Sequence, residues 1–225
     1  MLLPSYQKSK KKIYVVGLGV TGLSAVKTLQ ASGVEVVAFD DDENHRRSAI
    51  ENNIAILFPN DWQASHKVDI LLLSPGIAAV DSAHLKAHPA ALRGKELGVR
   101  LMVDADILFD EWQDSRDFIF ITGTNGKSTT TKLVAHILTE NKKSAVMGGN
   151  IGKAALSLPA VPLGGIYVLE LSSYQLERML CPIPNVAVLL NLSFDHLERH
   201  ETMENYLRIK TKIFSGNGKQ PDISI

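Results

Sequence analysis

Two glycines followed by a lysine and a serine can hold a phosphate, and Thr122-Gly123-Thr124-Asn125-Gly126-Lys127-Ser128 has that arrangement. The glycines let the backbone turn its N–H groups toward an anion. Lys127 can reach β- and γ-phosphate oxygens, and the Ser128 hydroxyl can bind Mg²⁺. The apolar run Phe118 to Ile121 before the loop reads as a buried strand. The Gly- and Pro-free run after it reads as a helix, whose N-terminal dipole adds to the anion's attraction. The general phosphate-loop pattern asks for a glycine five residues before Gly126, where this chain has Ile121. A Gly-rich strand-to-helix turn with an incidental lysine is the alternative.

A second glycine cluster lies near the start of the chain. Ile13 to Val16 reads as a strand, Gly17-Leu18-Gly19-Val20-Thr21-Gly22 as a turn, Leu23 to Ala31 as a helix, and Val34 to Phe39 as a strand ending in Asp40. This is the dinucleotide fingerprint: a tight turn, close backbone approach to a pyrophosphate, then a carboxylate for a ribose or base. Taken alone it suggests NAD and an oxidoreductase. Asp40, Asp41 and Asp42 are either ligand contacts or a solvated acidic loop, with Asp40 the better placed at the strand end. Val68 to Leu73 is a further apolar strand. Ser74-Pro75-Gly76-Ile77 turns off its carboxyl end, either at the ligand edge or as a plain turn.

Val99 to Val103 reads as a later strand, and Asp104 is expected to cap a helix through Trp112. The polar stretch Gln113 to Asp117 then separates a Rossmann-like domain, residues 1–106, from an ATP-binding α/β domain of the P-loop type, residues 107–225. In the second domain Lys143 to Met147 is a strand, and Asn150 follows either as a ligand contact or as a turn residue. Ile166 to Leu169 delivers Glu170 to a strand end beside the phosphate loop, where such proteins hold Mg²⁺. Asn185 to Leu190 leads to Asp195-His196. A helix from Met203 to Phe214 carries Lys210, ordinarily a solvated charge.

The Thr-Gly-Thr-Asn-Gly-Lys-Ser loop resembles the ATP-binding loop of the Mur ligases, a family that tolerates the missing glycine. Leu169-Glu170-Leu171-Ser172-Ser173-Tyr174-Gln175-Leu176-Glu177 and Asn191-Leu192-Ser193-Phe194-Asp195-His196-Leu197-Glu198-Arg199-His200 are similar to the family's other signatures, in order along nearly the whole chain. The resemblance implies an ATP-dependent amide ligase that joins D-glutamate to UDP-N-acetylmuramoyl-L-alanine through an acyl phosphate. It implies ATP contacts at Gly123, Thr124, Asn125, Gly126, Lys127, Ser128 and Thr129. Substrate contacts are implied at Gly19, Val20, Thr21, Asp40, Asp41, Ser74, Gly76, Asn150 and His196, with the first glycine turn holding uridine diphosphate instead of NAD. Catalytic roles fall on Lys127, His196 and Lys210. Two Mg²⁺ ions are implied, with ligands from Ser128, Glu170, His196 and Lys210, the last carbamylated by CO₂. Such ligases carry a third domain, so the sheet begun here is expected to be unfinished at Ile225 and the chain to be an inactive fragment that binds nucleotide.

The 225 residues are 45% hydrophobic with zero formal net charge, which favours neither a nucleic acid nor an anionic membrane as partner. No apolar run approaches spanning length. Cys181 is the only cysteine, so no intrachain disulfide forms, and a bystander thiol is expected. A cytoplasmic monomer is the expectation.

Overall fold

A computed structural model describes residues 2–82, 84–180, 183–216 and 219–225, so Cys181 lies outside the described residues. The chain divides into two compact units, one up to Asp104 and one from Ala105 on.

In the first unit a short helix α1 (Pro4–Lys8) precedes β1 (Lys12–Val16), α2 (Val20–Ala31), β2 (Glu35–Phe39), α3 (Glu43–Glu51), β3 (Ala55–Ile56), β4 (Ile70–Leu73), α4 (Pro89–Glu96) and β5 (Arg100–Met102). All pairings are parallel, in the order β3-β2-β1-β4-β5. Ile13 to Val16 on the central β1 are wholly buried, as in a parallel strand covered on both faces. The Tyr14 ring meets Trp62 edge-on at 4.9 Å. Val16 pairs with Phe39 on one side and Leu73 on the other, so three strands end level. Their turns therefore share one edge, where the strand order reverses between β1 and β4 and where ligands of such sheets bind.

The second unit contains nearly all of α5 (Asp104–Trp112), then β6 (Asp117–Thr122), α6 (Lys127–Glu140), β7 (Ala145–Gly149), β8 (Ile166–Glu170), α7 (Ser173–Arg178), β9 (Val186–Leu189), α8 (Leu197–His200), α9 (Met203–Lys210) and β10 (Ile223–Ser224). Its sheet is also parallel, in the order β10-β9-β6-β8-β7. Phe109 packs against Phe118 at 4.9 Å and Phe120 at 5.7 Å, and Phe118 stacks on Tyr167 at 5.2 Å. Ile121 pairs with Glu170 on one side and Val188 on the other. That register sets the acid beside the base of the phosphate loop.

Several boundaries differ from the sequence reading. Helix α2 starts at Val20 rather than Leu23, with Gly22 inside it. A Cβ on Gly22 would sit 1.7 Å from the Gly17 carbonyl oxygen, so close packing of helix on turn requires the glycine. Asp104 is the first residue of α5 and not its cap. The strand expected at Lys143 to Met147 runs from Ala145 to Gly149. The α-helix of α9 ends at Lys210 and continues as a tighter 3-10 turn through Phe214. Asp42, read as either a contact or a solvated loop residue, caps α3 by accepting from the Asn44 N–H at 2.7 Å. The chain's last described strand, β10, lies parallel on β9.

Candidate active site

The phosphate loop leaves β6 at Thr122 and enters α6 through Gly126, whose φ of 80° is left-handed and suits glycine. Lys127 is the first helical residue, and its Nζ donates back to the carbonyls of Gly123 (3.0 Å) and Thr124 (2.7 Å). The segment after β9 straps the loop. The Asn125 N–H donates to Asn191 Oδ1 at 2.9 Å, Asn191 Nδ2 donates to the Asn125 carbonyl at 3.0 Å, and the Ser193 N–H donates to the Thr124 hydroxyl at 3.0 Å. Thr129, in the first turn of α6, is exposed.

Glu170 is 2% exposed, and both carboxylate oxygens are met by donors: Ser128 Oγ at 2.7 Å and Asn150 Nδ2 at 3.0 Å. The Asn150 N–H also donates to the Glu170 carbonyl at 2.9 Å. A Cβ on Gly149 would lie 2.4 Å from that carbonyl oxygen, so β7 can approach Glu170 this closely only with glycine there. The neighbouring Ser128 hydroxyl and Glu170 carboxylate are hard oxygen donors of the kind Mg²⁺ takes. Among the described residues no cluster of three or more His, Cys, Asp and Glu side chains forms a metal site.

Lys210 is not a solvated charge. It is 1% exposed, with Nζ donating to the Gly123 carbonyl (2.8 Å) and the Thr122 hydroxyl (3.3 Å) and lying 4.7 Å over the Tyr206 ring. Burial chiefly, and then the nearby Lys127 ammonium, lower its pKa to about 8, with Asp195 opposing. His196 sits in the left-handed region (φ 53°) ahead of α8. Its Nδ1 is 3.2 Å from the Tyr174 hydroxyl and its Nε2 is 3.4 Å from Asp195.

Lys127, Asn150, His196 and Lys210 line one cleft of about 140 Å³, together with Ser172, Ser173, Tyr174 and Tyr206. Ser172, Ser173 and Tyr174 belong to the Leu169–Glu177 motif, and Tyr206 to the helix that carries Lys210; none of the four has a role in the sequence reading. The i, i+4 spacing of Tyr206 and Lys210 puts them on one helix face and was the available signal. Ser172 caps α7 in a reciprocal box with Gln175, which aims the next two side chains at the cleft.

His200 is fully buried, 2.9 Å from the Ser173 hydroxyl and stacked on Tyr206. Burial lowers its pKa; Glu177 opposes, while Arg199, His196 and Lys210 add to the lowering. The unfolded chain therefore binds more protons than the fold below about pH 6.5. Stability is full above that value and is lost as pH falls toward the folded pKa. Urea titrations at pH 7.5, 6 and 5 should show a smaller acid loss in His200→Asn than in the unaltered chain, and an equal loss would remove His200 as the cause.

The remaining proposed contacts gather in the first unit at the shared edge of β1, β2 and β4. Gly19, Val20 and Thr21 start α2, with no atom within 4 Å of where a Gly19 Cβ would stand and Val20 84% exposed. The Ser74 hydroxyl donates to the Gly17 carbonyl at 2.8 Å and ties the two turns together, while Gly76 faces open space. Asp40 is engaged internally. Oδ2 accepts from the Leu18 N–H at 2.5 Å and lies 3.3 Å from His45, and Oδ1 accepts from the Asp42 N–H at 2.8 Å. Although burial raises its pKa, these hydrogen bonds and His45 leave the net shift downward. Asp41 is the outward carboxylate, 77% exposed.

No helix among the described residues is long and apolar enough to cross a membrane. The model of the Mur ligase MurD-like N-terminal domain matches residues 11–94, and that of the Mur ligase middle domain matches residues 121–225. The UDP-N-acetylmuramoylalanine–D-glutamate ligase of Paramagnetospirillum magneticum is 42% identical over 204 residues, 91% of this chain and 44% of that protein. The Rhodospirillum rubrum ligase of the same name is 39% identical over 231 residues, 100% of this chain and 47% of that protein. The chain thus spans about half the length of the curated relatives it matches. Among solved structures, UDP-N-acetylmuramate-alanine ligase from Thermotoga maritima superposes with a TM-score of 0.53 at 24% identity, covering 90% of this chain and 46% of that one. The UDP-N-acetylmuramate:L-alanyl-gamma-D-glutamyl-meso-diaminopimelate ligase from Neisseria meningitides gives 0.57 at 20% identity, covering 92% and 69%. These two likenesses speak to the fold. With one model matching in each unit, and with the glycine turn of the first and the phosphate loop of the second both inside the matched spans, the chain belongs to the Mur ligase family through its N-terminal and middle domains.

Proposed function

We propose that this chain serves the ATP-dependent joining of D-glutamate to UDP-N-acetylmuramoyl-L-alanine, a cytoplasmic step of peptidoglycan precursor synthesis. The observation that carries the reading is the single cleft lined by Lys127, Asn150, His196 and Lys210, beside the Ser128–Glu170 couple. The alanine carboxylate oxygen attacks the γ-phosphorus of ATP, ADP leaves, and an acyl phosphate forms. The D-glutamate nitrogen then attacks the acyl carbon, the amide bond forms, inorganic phosphate departs, and the amine gives up a proton.

Nothing in these steps needs a covalent protein nucleophile, so the protein's part is positioning and charge neutralisation. Lys127 leaves its carbonyl partners for the transferring phosphoryl group, and the N–H groups from Gly123 to Thr129 frame the triphosphate. Asn150 and His196 hold the acceptor carboxylate. Ser128 and Glu170 would hold one Mg²⁺, and His196 with Lys210, once carbamylated, would hold a second; the metal would supply positive charge to offset that of the phosphate groups. In the first unit the start of α2 (Gly19, Val20, Thr21) receives the diphosphate. Asp40 shapes the turn through Leu18, Asp41 faces the nucleoside, and Ser74 and Gly76 lie along the sugar. Every group named comes from one copy, as in a monomer.

The nicotinamide reading places a ribose diol at the carboxylate that ends β2, where each oxygen of Asp40 already accepts from a backbone N–H, of Leu18 and of Asp42. Calorimetry with this chain should give measurable binding of UDP-N-acetylmuramoyl-L-alanine and at least tenfold weaker binding of NAD, a difference of about 1.4 kcal/mol or more. The reverse order would return the first unit to the oxidoreductases.

A further inference from the structure

His88 has no part in the reading above, yet it is buried directly behind the outward carboxylate of Asp41. It is the N-cap residue of α4, and its Nδ1 accepts from the Ala90 N–H at 3.1 Å. A nitrogen that accepts carries no proton, so the neutral ring bears its proton on Nε2. That Nε2 lies 3.4 Å from Asp41 Oδ1 and 3.3 Å from Oδ2, straddling the carboxylate. The ring rests against Phe39 at 6.0 Å, and the side chain is only 8% exposed.

Arg46 grips the same stretch through its backbone. Its Nη1 donates to the carbonyls of Asp40 (2.6 Å) and Asp41 (2.7 Å), and the guanidinium lies 5.5 Å over both the Phe39 and Phe58 rings. Asp41 thus has its backbone fixed by one cation and its carboxylate faced by one buried donor, while its outer face is open. An acceptor set before a ligand arrives loses little freedom on binding. A carboxylate repels phosphate and accepts from N–H or O–H groups, so the diphosphate fits the open start of α2 and not this position.

We infer that His88 is a positioning residue, holding the Asp41 carboxylate as the acceptor for an uncharged donor of the bound nucleotide, either a ribose hydroxyl or a base N–H. The inference rests on the uridine diphosphate reading of the first unit, and the probe is UDP itself.

His88→Asn separates the two jobs of the histidine, because asparagine caps helices well but is too short to reach Asp41. By calorimetry His88→Asn should weaken UDP binding about fivefold and Asp41→Ala about tenfold. The double variant should bind like Asp41→Ala alone. A His88→Asn chain that binds UDP normally overturns the inference, as does a double variant in which the two losses multiply. Repeating Asp41→Ala with 2′,3′-dideoxy-UDP and N3-methyl-UDP identifies the donor: the analogue lacking it loses its sensitivity to residue 41. If both analogues stay as sensitive as UDP, Asp41 accepts from neither source and the inference fails. A parent chain that does not bind UDP brings down the uridine reading itself, a result seen before any variant is compared.

Discussion

Lys127→Ala should lower the affinity of this chain for Mg-ATP about 100-fold while leaving its affinity for UDP-N-acetylmuramoyl-L-alanine within about twofold. The size follows from what the ammonium can do. A hydrogen bond to a charged group contributes about 1.5–3 kcal/mol, and Lys127 would make its bonds to phosphate oxygens beside the N-terminus of a fourteen-residue helix. The separation of effects follows from where the groups sit. Lys127 opens α6 in the second unit, whereas the proposed diphosphate contacts open α2 in the first. The side chain is not part of either apolar core, and its present partners are two loop carbonyls that Lys210 and water can serve. Melting temperature should therefore move little, and calorimetry on the folded variant reads binding alone. Near-normal ATP affinity would mean an incidental lysine on a Gly-rich turn, the alternative that Ile121 raises. Where ADP release can be followed, the same substitution should depress it by several orders of magnitude, because Lys127 is proposed to act most strongly on the charge of the transferring group.

The two sheets were legible because their strands announce themselves. Phe118 to Ile121, Ile166 to Leu169 and Ile13 to Val16 are short apolar runs, followed by Thr122-Gly123, Glu170 and Gly17 in turn, and doubly covered parallel strands have that look. Glu170 beside the phosphate loop followed from strand adjacency alone. Two-residue strands such as β3 and β10 are too short to carry a period, and α3 is so polar that only its Asp42 cap marks it. Side-chain engagement was the least legible layer. Asp40 reads as the natural ligand carboxylate by its place after β2, but three-dimensional folding gives its oxygens to Leu18, Asp42 and His45 and leaves Asp41 outward. Tyr174 and His196 are 22 residues apart and meet only because α7 and α8 flank one cleft. Lys210, by residue type alone, reads as a solvated charge, and only the family resemblance gives it a role. Its burial depends on α9 lying across the phosphate loop, which no local pattern records.

That burial leads to the second large effect. An ordinary lysine with a pKa near 10.5 is neutral in only about 0.3% of molecules at pH 8, whereas at a pKa of about 8 roughly half are. A neutral Nζ can attack the carbon of CO₂; the N–C bond forms, a proton leaves, and an anionic carbamate remains. The geometry gives this chemistry a purpose, since His196 and Lys210 line one cleft and an ammonium there would repel the second Mg²⁺ that the proposed mechanism uses. With ¹³C-bicarbonate at pH 8, NMR should show a carbamate resonance that is absent from Lys210→Ala and Lys210→Arg. In a full-length version of the protein the same variants should lose ligase turnover almost completely, with Lys210→Ala partly restored by small carboxylic acids that fill the vacated oxygen position. Arginine keeps the charge but cannot be carbamylated, so normal turnover in Lys210→Arg would reduce Lys210 to a buried packing charge and leave Ser128 and Glu170 to hold the metal alone. Stability gives an independent reading of the same group. Because the folded pKa lies below the unfolded one, the unfolded chain binds more protons between about pH 8 and 10.5, and the free energy of unfolding should rise with pH across that window. In Lys210→Met that rise should flatten; an unchanged slope would show that Lys210 titrates as an exposed lysine does, and the carbamate would lose its physical basis.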